Sequence, residues 1–278
     1  MTLDARFQLR VQRYGWDKAA DHYEQFWQTQ LAPAQARLLE LAALKPGERV
    51  LEVACGTGLV TFPAARAVGP GGAVLATDIS DVMVTRVKEA ADEQGLVNVA
   101  AKRADAEALS VPEASFDAAL CALGLMYVPD PFAAIREMHR ALKPGGRAVV
   151  AIWGARSSCG WAEIFSIVDH FVQSEVCPMF FQLGGGDALR IAMTQGGFTD
   201  LVVERIATTL DYESGDDACG AVFAGGPVAL AYSRFDDATR DAAHREYLDS
   251  IAEWKHGEGY QVPGEFVVAH GKREAGAT

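Results

Sequence analysis

The chain has 278 residues, half of them hydrophobic, enough to build one large α/β domain with insertions or a domain plus a small cap. Its 25 Lys and Arg stand against 37 Asp and Glu, a net charge of −12. Such a surface repels phosphate backbones and argues against tRNA, rRNA or DNA as a substrate. The five cysteines (Cys55, Cys121, Cys159, Cys177 and Cys219) are odd in number and lack Cys-x-x-Cys spacing. They exclude a disulfide framework and a zinc site, and fit the reduced thiols of a cytoplasmic protein. Met1 to Gln12 lacks an apolar signal core, and no stretch approaches the ~18 apolar residues of a membrane span.

In chain order, residues 15–44 carry helical periodicity in two parts. Trp16, Ala19, Ala20, Tyr23, Phe26 and Trp27 recur at three- and four-residue steps, and a second amphipathic helix follows Pro33. Lys45-Pro46-Gly47, Gly69-Pro70-Gly71-Gly72 and Lys143-Pro144-Gly145-Gly146 each stop a helix and turn directly into an apolar strand, at 49–53, 73–77 and 147–153. Further strands are expected at 98–102 and 116–122. Helices are expected at 59–67, at 81–94 with Ser80 as cap, and at 131–142 with Pro131 in the first turn. Strands this continuously apolar belong to a parallel sheet covered on both faces, and their alternation with helices over 49–153 predicts a doubly wound α/β fold. Beyond Trp153 the pattern loosens. A helix around 161–173, a Gly184-Gly185-Gly186 loop, a helix over 187–195 and a β run at 201–212 are followed by mostly helical chain at 214–255. Asp236-Asp237 caps the last of these helices, and 261–269 reads as the final strand.

The stretch Val50 to Gly58 is a strand that ends in Glu52 and breaks into a glycine turn, where backbone N–H groups at a helix start can face a ligand. Two ligands compete for it. A dinucleotide fold wants Gly-x-Gly-x-x-Gly, but Gly56-Thr57-Gly58-Leu59-Val60-Thr61 lacks the third glycine. Glu52 also lies where a pyrophosphate would meet like charge, whereas a carboxylate there suits a ligand with a cationic end, such as an α-amino group or a sulfonium. Asp78, at the next strand tip, is placed either to accept ribose hydroxyls or simply to cap a helix, with Ile79 and Met83 beside it to pack on an adenine face. Asp105-Ala106 after the third strand would meet an adenine edge, or be a solvated loop.

From Glu52-x-Ala54-x-Gly56-x-Gly58 through Asp78, Arg103 to Leu109, Ser115 to Leu125 and Leu142-Lys143-Pro144-Gly145-Gly146, the chain resembles the class I S-adenosylmethionine-dependent methyltransferases. The likeness is to the small-molecule group that includes the ubiquinone/menaquinone-biosynthesis C-methyltransferases, and it covers residues 45–153. It implies a Rossmann-like, mostly parallel seven-stranded sheet, completed by an antiparallel strand from the 201–212 and 261–269 pair. It also implies S-adenosyl-L-methionine as cofactor and S-adenosyl-L-homocysteine as product. Glu52, Ala54, Cys55, Gly56, Thr57 and Gly58 would hold the methionine part, Asp78 the ribose, and Ile79, Met83, Asp105 and Ala106 the adenine. Cys121 and Ala122 would face the sulfonium, with Tyr14 and Tyr23 closing from the N-terminus. The family often has Asp where this chain has Glu52.

Methyl transfer from a sulfonium needs alignment and water exclusion more than a dedicated catalyst. The candidate bases are therefore few: His22, Tyr23 and His170, with Glu163 and His244 behind them and His139 read as structural. No metal is expected. The expected organisation is an N-terminal helical lid at 1–44, a cofactor core at 45–153, and a completion of the sheet at 154–278 carrying cap insertions at 154–198 and 213–256. Trp161, Phe165, Phe171, Met179, Phe180, Phe181 and Phe223 suggest an apolar or aromatic acceptor, or else merely pack the cap. The reading is a cytoplasmic small-molecule methyltransferase without nucleic-acid or membrane partners, and a homodimer is compatible with it. The alternative is a protein that uses the same cofactor for non-methyl chemistry, or a non-catalytic partner subunit.

Overall fold

The computed structural model describes residues 5–172 and 180–276; Cys177, Met179 and the end of the helix expected near 173 lie outside the described residues. The strands are β1 (Arg49–Val53), β2 (Ala73–Asp78), β3 (Val99–Arg103), β4 (Phe116–Ala122), β5 (Leu142–Trp153), β6 (Thr199–Tyr212), β7 (Lys255–His256) and β8 (Gly259–Lys272). They form one sheet in the order β3-β2-β1-β4-β5-β8-β6, and the two-residue β7 makes a hairpin with the start of β8. β1 to β5 pair in parallel, whereas β8 runs antiparallel to both β5 and β6. Strand order reverses between β1 and β4, so the crevice at their carboxyl ends is where such a sheet binds ligands.

The helices are α1 (Ala5–Ala42), α2 (Thr61–Val68), α3 (Asp81–Glu93), α4 (Pro131–Ala141), α5 (Ile164–Phe171), α6 (Ala188–Gln195), α7 (Gly215–Cys219), α8 (Ala229–Tyr232) and α9 (Asp237–Ser250). Helix starts follow local chemistry: Met83 N–H donates to Ser80 Oγ, Ala133 N–H to Asp130 and Thr239 N–H to Asp236. α2 begins two residues later than the sequence pattern suggests, because Gly58 (φ +99°) holds Leu59 and Val60 in the turn. The Lys143–Gly146 turn is absorbed into β5 as a register shift. These four residues stand between the pairs Phe116–Leu142 and Ala118–Arg147, opposite Asp117 alone.

The largest departure from the sequence reading is α1. Two helices divided at Pro33 were expected; one 38-residue helix runs through it. A proline removes one backbone bond and clashes with the preceding turn. Here Trp27, Leu31, Ala34, Leu38 and Ala42, on both sides of Pro33, are all buried in the core, and that packing holds the helix continuous. The C-terminal half of α1 lies on β4, β5, β6 and β8, and its N-terminal half reaches α3. Asp17 accepts the Ser80 hydroxyl at 2.6 Å, while Arg13 pairs with Asp81 and Arg86 with Asp21. α1 is thus a sheet-covering layer at one end and the roof of the crevice at the other. α6 packs on α4, β6 and β8, so the 188–195 segment covers the sheet.

Two polar clusters fasten these layers. Arg147 on β5 donates to the α1-terminal carbonyls of Ala42 and Ala43, and forms a fork with both oxygens of Glu48 at 2.9 and 2.7 Å. One guanidinium therefore caps α1 and pins it to the sheet. The Glu52 side chain is buried between β1 and α2, where it accepts the Thr61 hydroxyl, and the Glu52 carbonyl accepts the Thr77 hydroxyl at 2.8 Å. Burial, opposed by the Thr61 bond, pushes its carboxyl up to about 8 from an ordinary 4.5.

Two expectations follow. Arg147→Met leaves the helix-terminal carbonyls and Glu48 without their donor and lowers the unfolding free energy by about 2–3 kcal/mol in urea denaturation. A loss under about 0.5 kcal/mol contradicts the cap. An acid whose pKa is higher folded than unfolded stabilises the fold fully below its unfolded value and loses that contribution as pH rises through the folded one. Wild type therefore loses stability relative to Glu52→Gln between pH 4.5 and about 8. A constant stability difference across that window contradicts the buried neutral carboxyl.

Candidate active site

A cleft of about 80 Å³ opens at the strand tips. Its floor is the tip of β1 (Val53, Ala54, Gly56) and its sides are the tips of β2 (Thr77, Asp78, Ile79), β3 (Ala104, Asp105, Ala106) and β4 (Ala122, Leu123, Gly124). Met83 comes from α3, and α1 covers it with Leu9, Gln12, Trp16 and Tyr23. The backbone at the floor is bent into conformations rarely seen outside glycine: Ala54 at φ +56°, Gly56 at +55° and Leu123 at +61°. Gly124 is required here, because a Cβ on it would sit 2.2 Å from that of Ala54.

Asp78 is the electrostatic centre. It is 7% exposed, its Oδ2 accepts the Gly56 N–H and its Oδ1 the Ser80 N–H, each at 2.9 Å. Burial raises its pKa, and the N–H groups of Ser80, Gly56 and Ile79 oppose that rise. Each oxygen retains a lone pair for a second donor, so the carboxylate can take two hydroxyls from the cleft. Asp105 bends its loop by accepting the Glu107 N–H at 2.9 Å. Tyr23 lies against Gly56, whose hypothetical Cβ would meet Tyr23 Cε1 at 3.7 Å. Burial, then the charges of Asp78, Glu24 and Glu52, raise the Tyr23 phenol well above its usual value. It stays protonated at neutral pH, a hydrogen-bond donor and not a general base.

The structure brings Ala54, Gly56, Asp78, Ile79, Met83, Asp105, Ala106, Ala122 and Tyr23 together on the cleft wall. Other candidates lie apart from it. Glu52 is turned into the core against Thr61, one layer behind the floor. Cys55 packs with Ala76, Val84, Val87 and Ala101, and burial raises its thiol. Thr57 is buried with its hydroxyl unpartnered among the described residues, and Gly58 is filled over by Phe62. Cys121 is buried, and that burial pushes its thiol up to about 12. Tyr14 is half exposed under the Arg13 guanidinium.

Among the base candidates only Tyr23 reaches the cleft. His22 is exposed beside Phe26, and His170 is exposed with its ring nitrogen 3.0 Å from Glu246. Glu163 pairs with Arg156, His244 faces the Tyr232 hydroxyl at 3.0 Å, and His139 packs on Phe198. Leu9, Gln12, Trp16, Leu123, Gly124, Tyr127, Val128 and Pro129 line the cleft and were not singled out as cofactor contacts. For Leu123 and Gly124 the signal is backbone geometry, which spacing alone does not encode.

A second, aromatic chamber of about 20 Å³ shares the walls Trp16, Tyr23, Leu123 and Tyr127 with the cleft. Trp27, Leu31, Trp153, Trp161, Gly226 and Pro227 complete it. Of the aromatic residues expected to face an acceptor, Trp161 alone reaches this wall. Phe165, Phe180 and Phe181 pack on one another and on Trp161, Phe171 packs on Phe235, and Phe223 packs on Tyr232 and Tyr247. Among the described residues, Cys55, Cys121, Cys159 and Cys219 are free and buried, and no cluster of three or more His, Cys, Asp or Glu could hold a metal. No described helix is long and apolar enough to cross a membrane.

Residues 50–146 match the family model described as a methyltransferase domain. Over 113 residues the chain is 42% identical to the ubiquinone/menaquinone biosynthesis C-methyltransferase UbiE of Teredinibacter turnerae, covering 40% of this chain and 45% of that protein. Over 132 residues it is 36% identical to the nocamycin O-methyltransferase of Saccharothrix syringae, covering 48% and 47%. The chain thus spans about half the length of these curated relatives. Among solved structures, the YcgJ protein from Bacillus subtilis superposes with a TM-score of 0.60 at 18% identity, over 88% of this chain and all of that one, a likeness of fold. Residues 50–146 thus match a methyltransferase domain, and they form the part of the sheet that carries the cleft.

Proposed function

We propose that the protein transfers the methyl group of S-adenosylmethionine to a small apolar or aromatic acceptor. The observation that carries this reading is the pair of adjoining cavities: a polar-ended cleft at the β1–β4 crevice, and an aromatic chamber sharing Trp16, Tyr23, Leu123 and Tyr127 with it. The cleft fits the cofactor. Asp78 offers two buried acceptor oxygens for the ribose, Ile79 and Met83 an apolar face for the adenine, and Asp105-Ala106 a polar edge. Gly56 leaves the backbone open at the methionine end. Glu52, one layer behind, contributes the field of a carboxyl that a nearby cation draws toward ionisation.

When bound, S-adenosylmethionine supplies an electrophilic methyl on a sulfonium. The chain's own part is to position and to exclude water. Asp78 anchors one end of the cofactor, α1 lays Leu9, Gln12 and Trp16 over it, and Tyr23 stands at the junction where donor and acceptor meet. The chamber wall carries no carboxylate, ammonium or guanidinium, which favours an uncharged aromatic acceptor over a charged one. It draws on α1, on Trp161 and on Gly226-Pro227, which supports a cap built from the N-terminal helix and the two late insertions. The net charge of −12 supports a small acceptor over a nucleic acid.

Calorimetry with S-adenosylmethionine and S-adenosylhomocysteine tests the cofactor, and transfer of labelled methyl to uncharged aromatic and to highly charged acceptors tests the class. Asp78→Asn keeps the shape and weakens both ligands by about 1–3 kcal/mol. Unchanged affinity removes Asp78 from the site, and turnover confined to charged acceptors overturns the chamber's role.

A further inference from the structure

The sheet ends in two edges that are built differently. β3 is a five-residue strand closing on Lys102 and Arg103, the short and charged form that resists further pairing. β6 has 14 residues, pairs only with β8 among the described residues, and carries no proline or lysine from Val203 to Thr209. Its two charged residues there are engaged within the chain: Arg37 holds Glu204 at 2.7 Å, and Glu265 holds Arg205 at 2.6 Å. Neither is left as a free charge that keeps another strand away.

Side-chain clamps show which way the β6 backbone faces. Gln30 on α1 donates to the Asp211 carbonyl at 2.5 Å and accepts the Asp211 N–H at 3.2 Å, so both backbone groups of Asp211 point away from β8. An antiparallel ladder alternates, and β6 keeps one register with β8 from Val202 to Tyr212. Thr209, Ala207, Arg205 and Val203 therefore turn their N–H and C=O groups outward as well. Pro263, with no N–H to give, stands opposite Thr209, in agreement with this parity. Arg190 reaches the Leu201 carbonyl at 3.4 Å. Gln30 and Arg190 thus close the two ends of the edge and leave 203–209 open among the described residues.

We propose that this open edge pairs antiparallel with the same edge of a second copy of the chain, about a two-fold axis at Ile206. The segment is self-complementary, as such an interface requires. With Ile206 opposite the partner's Ile206, Arg205 faces the partner's Ala207, Glu204 the partner's Thr208, and Val203 the partner's Thr209. Every outward backbone group then meets another, and no like charges stand opposite one another. Centring the pair on Arg205 instead sets two guanidiniums face to face. Centring it on Ala207 runs Val203 into the Gln30 clamp at the partner's Asp211. The half-buried Val203 and Ile206 gain cover in the same step. β8 and β5 separate the edge from β4, so pairing leaves both clefts free.

The test takes the full chain at rising concentration through size-exclusion chromatography with light scattering. Wild type moves from the 29.8 kDa of one chain toward twice that mass. Ala207→Pro removes an outward N–H at an exposed position and raises the dimer dissociation constant by about tenfold or more, with circular dichroism unchanged. Under mild oxidation Ile206→Cys forms a disulfide between the two copies at position 206, because Cα atoms directly opposed there lie about 4.5 Å apart, within disulfide reach. Thr208→Cys, which faces Glu204 of the partner subunit, does not. Peptide mapping assigns the link. If Ala207→Pro does not fold, the two cysteine variants decide. A wild type that stays monomeric at every concentration, a dimer indifferent to Ala207→Pro, or cross-linking at 208 as readily as at 206 overturns the proposal.

Discussion

The Asp78 carboxylate ties together the tips of the two strands on which the cleft depends. One oxygen holds the N–H of Gly56 in the loop after β1, and the other holds the N–H of Ser80 at the start of α3. Ser80 in turn caps α3 and donates its hydroxyl to Asp17 of α1. A single buried acid thus braces the floor, the side and the roof of the cleft. Burial raises the carboxyl's pKa, and these bonds from backbone N–H groups oppose that rise.

The brace explains why strained backbone gathers at this point. Ala54 and Leu123 hold positive φ values that a side chain disfavours, and each conformation is fixed by a neighbour. The Leu123 N–H reaches the Ala151 carbonyl at 2.7 Å, and Gly124 leaves room for the Ala54 methyl. Strain of this kind persists where the surroundings overdetermine it. The strained residues Ala54 and Leu123 line the cleft at the tips of β1 and β4. α1 completes the enclosure by serving two layers, anchored to the sheet through Arg147 and to α3 through Asp17.

Much of this was legible in the sequence because the fold is local in its punctuation. The stops at 45–47 and 69–72 precede strands whose apolar runs need cover on both faces, the one at 143–146 lies within β5, and the strand ends fell within a residue or two over 49–122. The cleft was legible at Ala54, Gly56, Asp78, Ile79, Met83, Asp105 and Ala106 for the same reason, since a βα unit places its tips by connectivity. What could not be read was orientation. Glu52 and Cys121 stand at the right strand ends, but their side chains point into the core, a matter of strand parity against packed neighbours. Pro33 carries a breaker signal that core packing on both sides overrides, and Trp16 and Tyr127 come together only through the long-range docking of α1 on the β4 loop.

The central claim is that the strand-tip cleft under α1 is the cofactor site and that Asp78 is its hub. Amide hydrogen exchange with and without S-adenosylhomocysteine tests it most directly, because the cleft draws on distant stretches of chain. The account predicts slower exchange over 54–58, 78–83, 104–106 and 122–129 and over 9–23 of α1, with the rest of the sheet unchanged. Protection that spares 78–83, or that appears only outside these stretches, contradicts it.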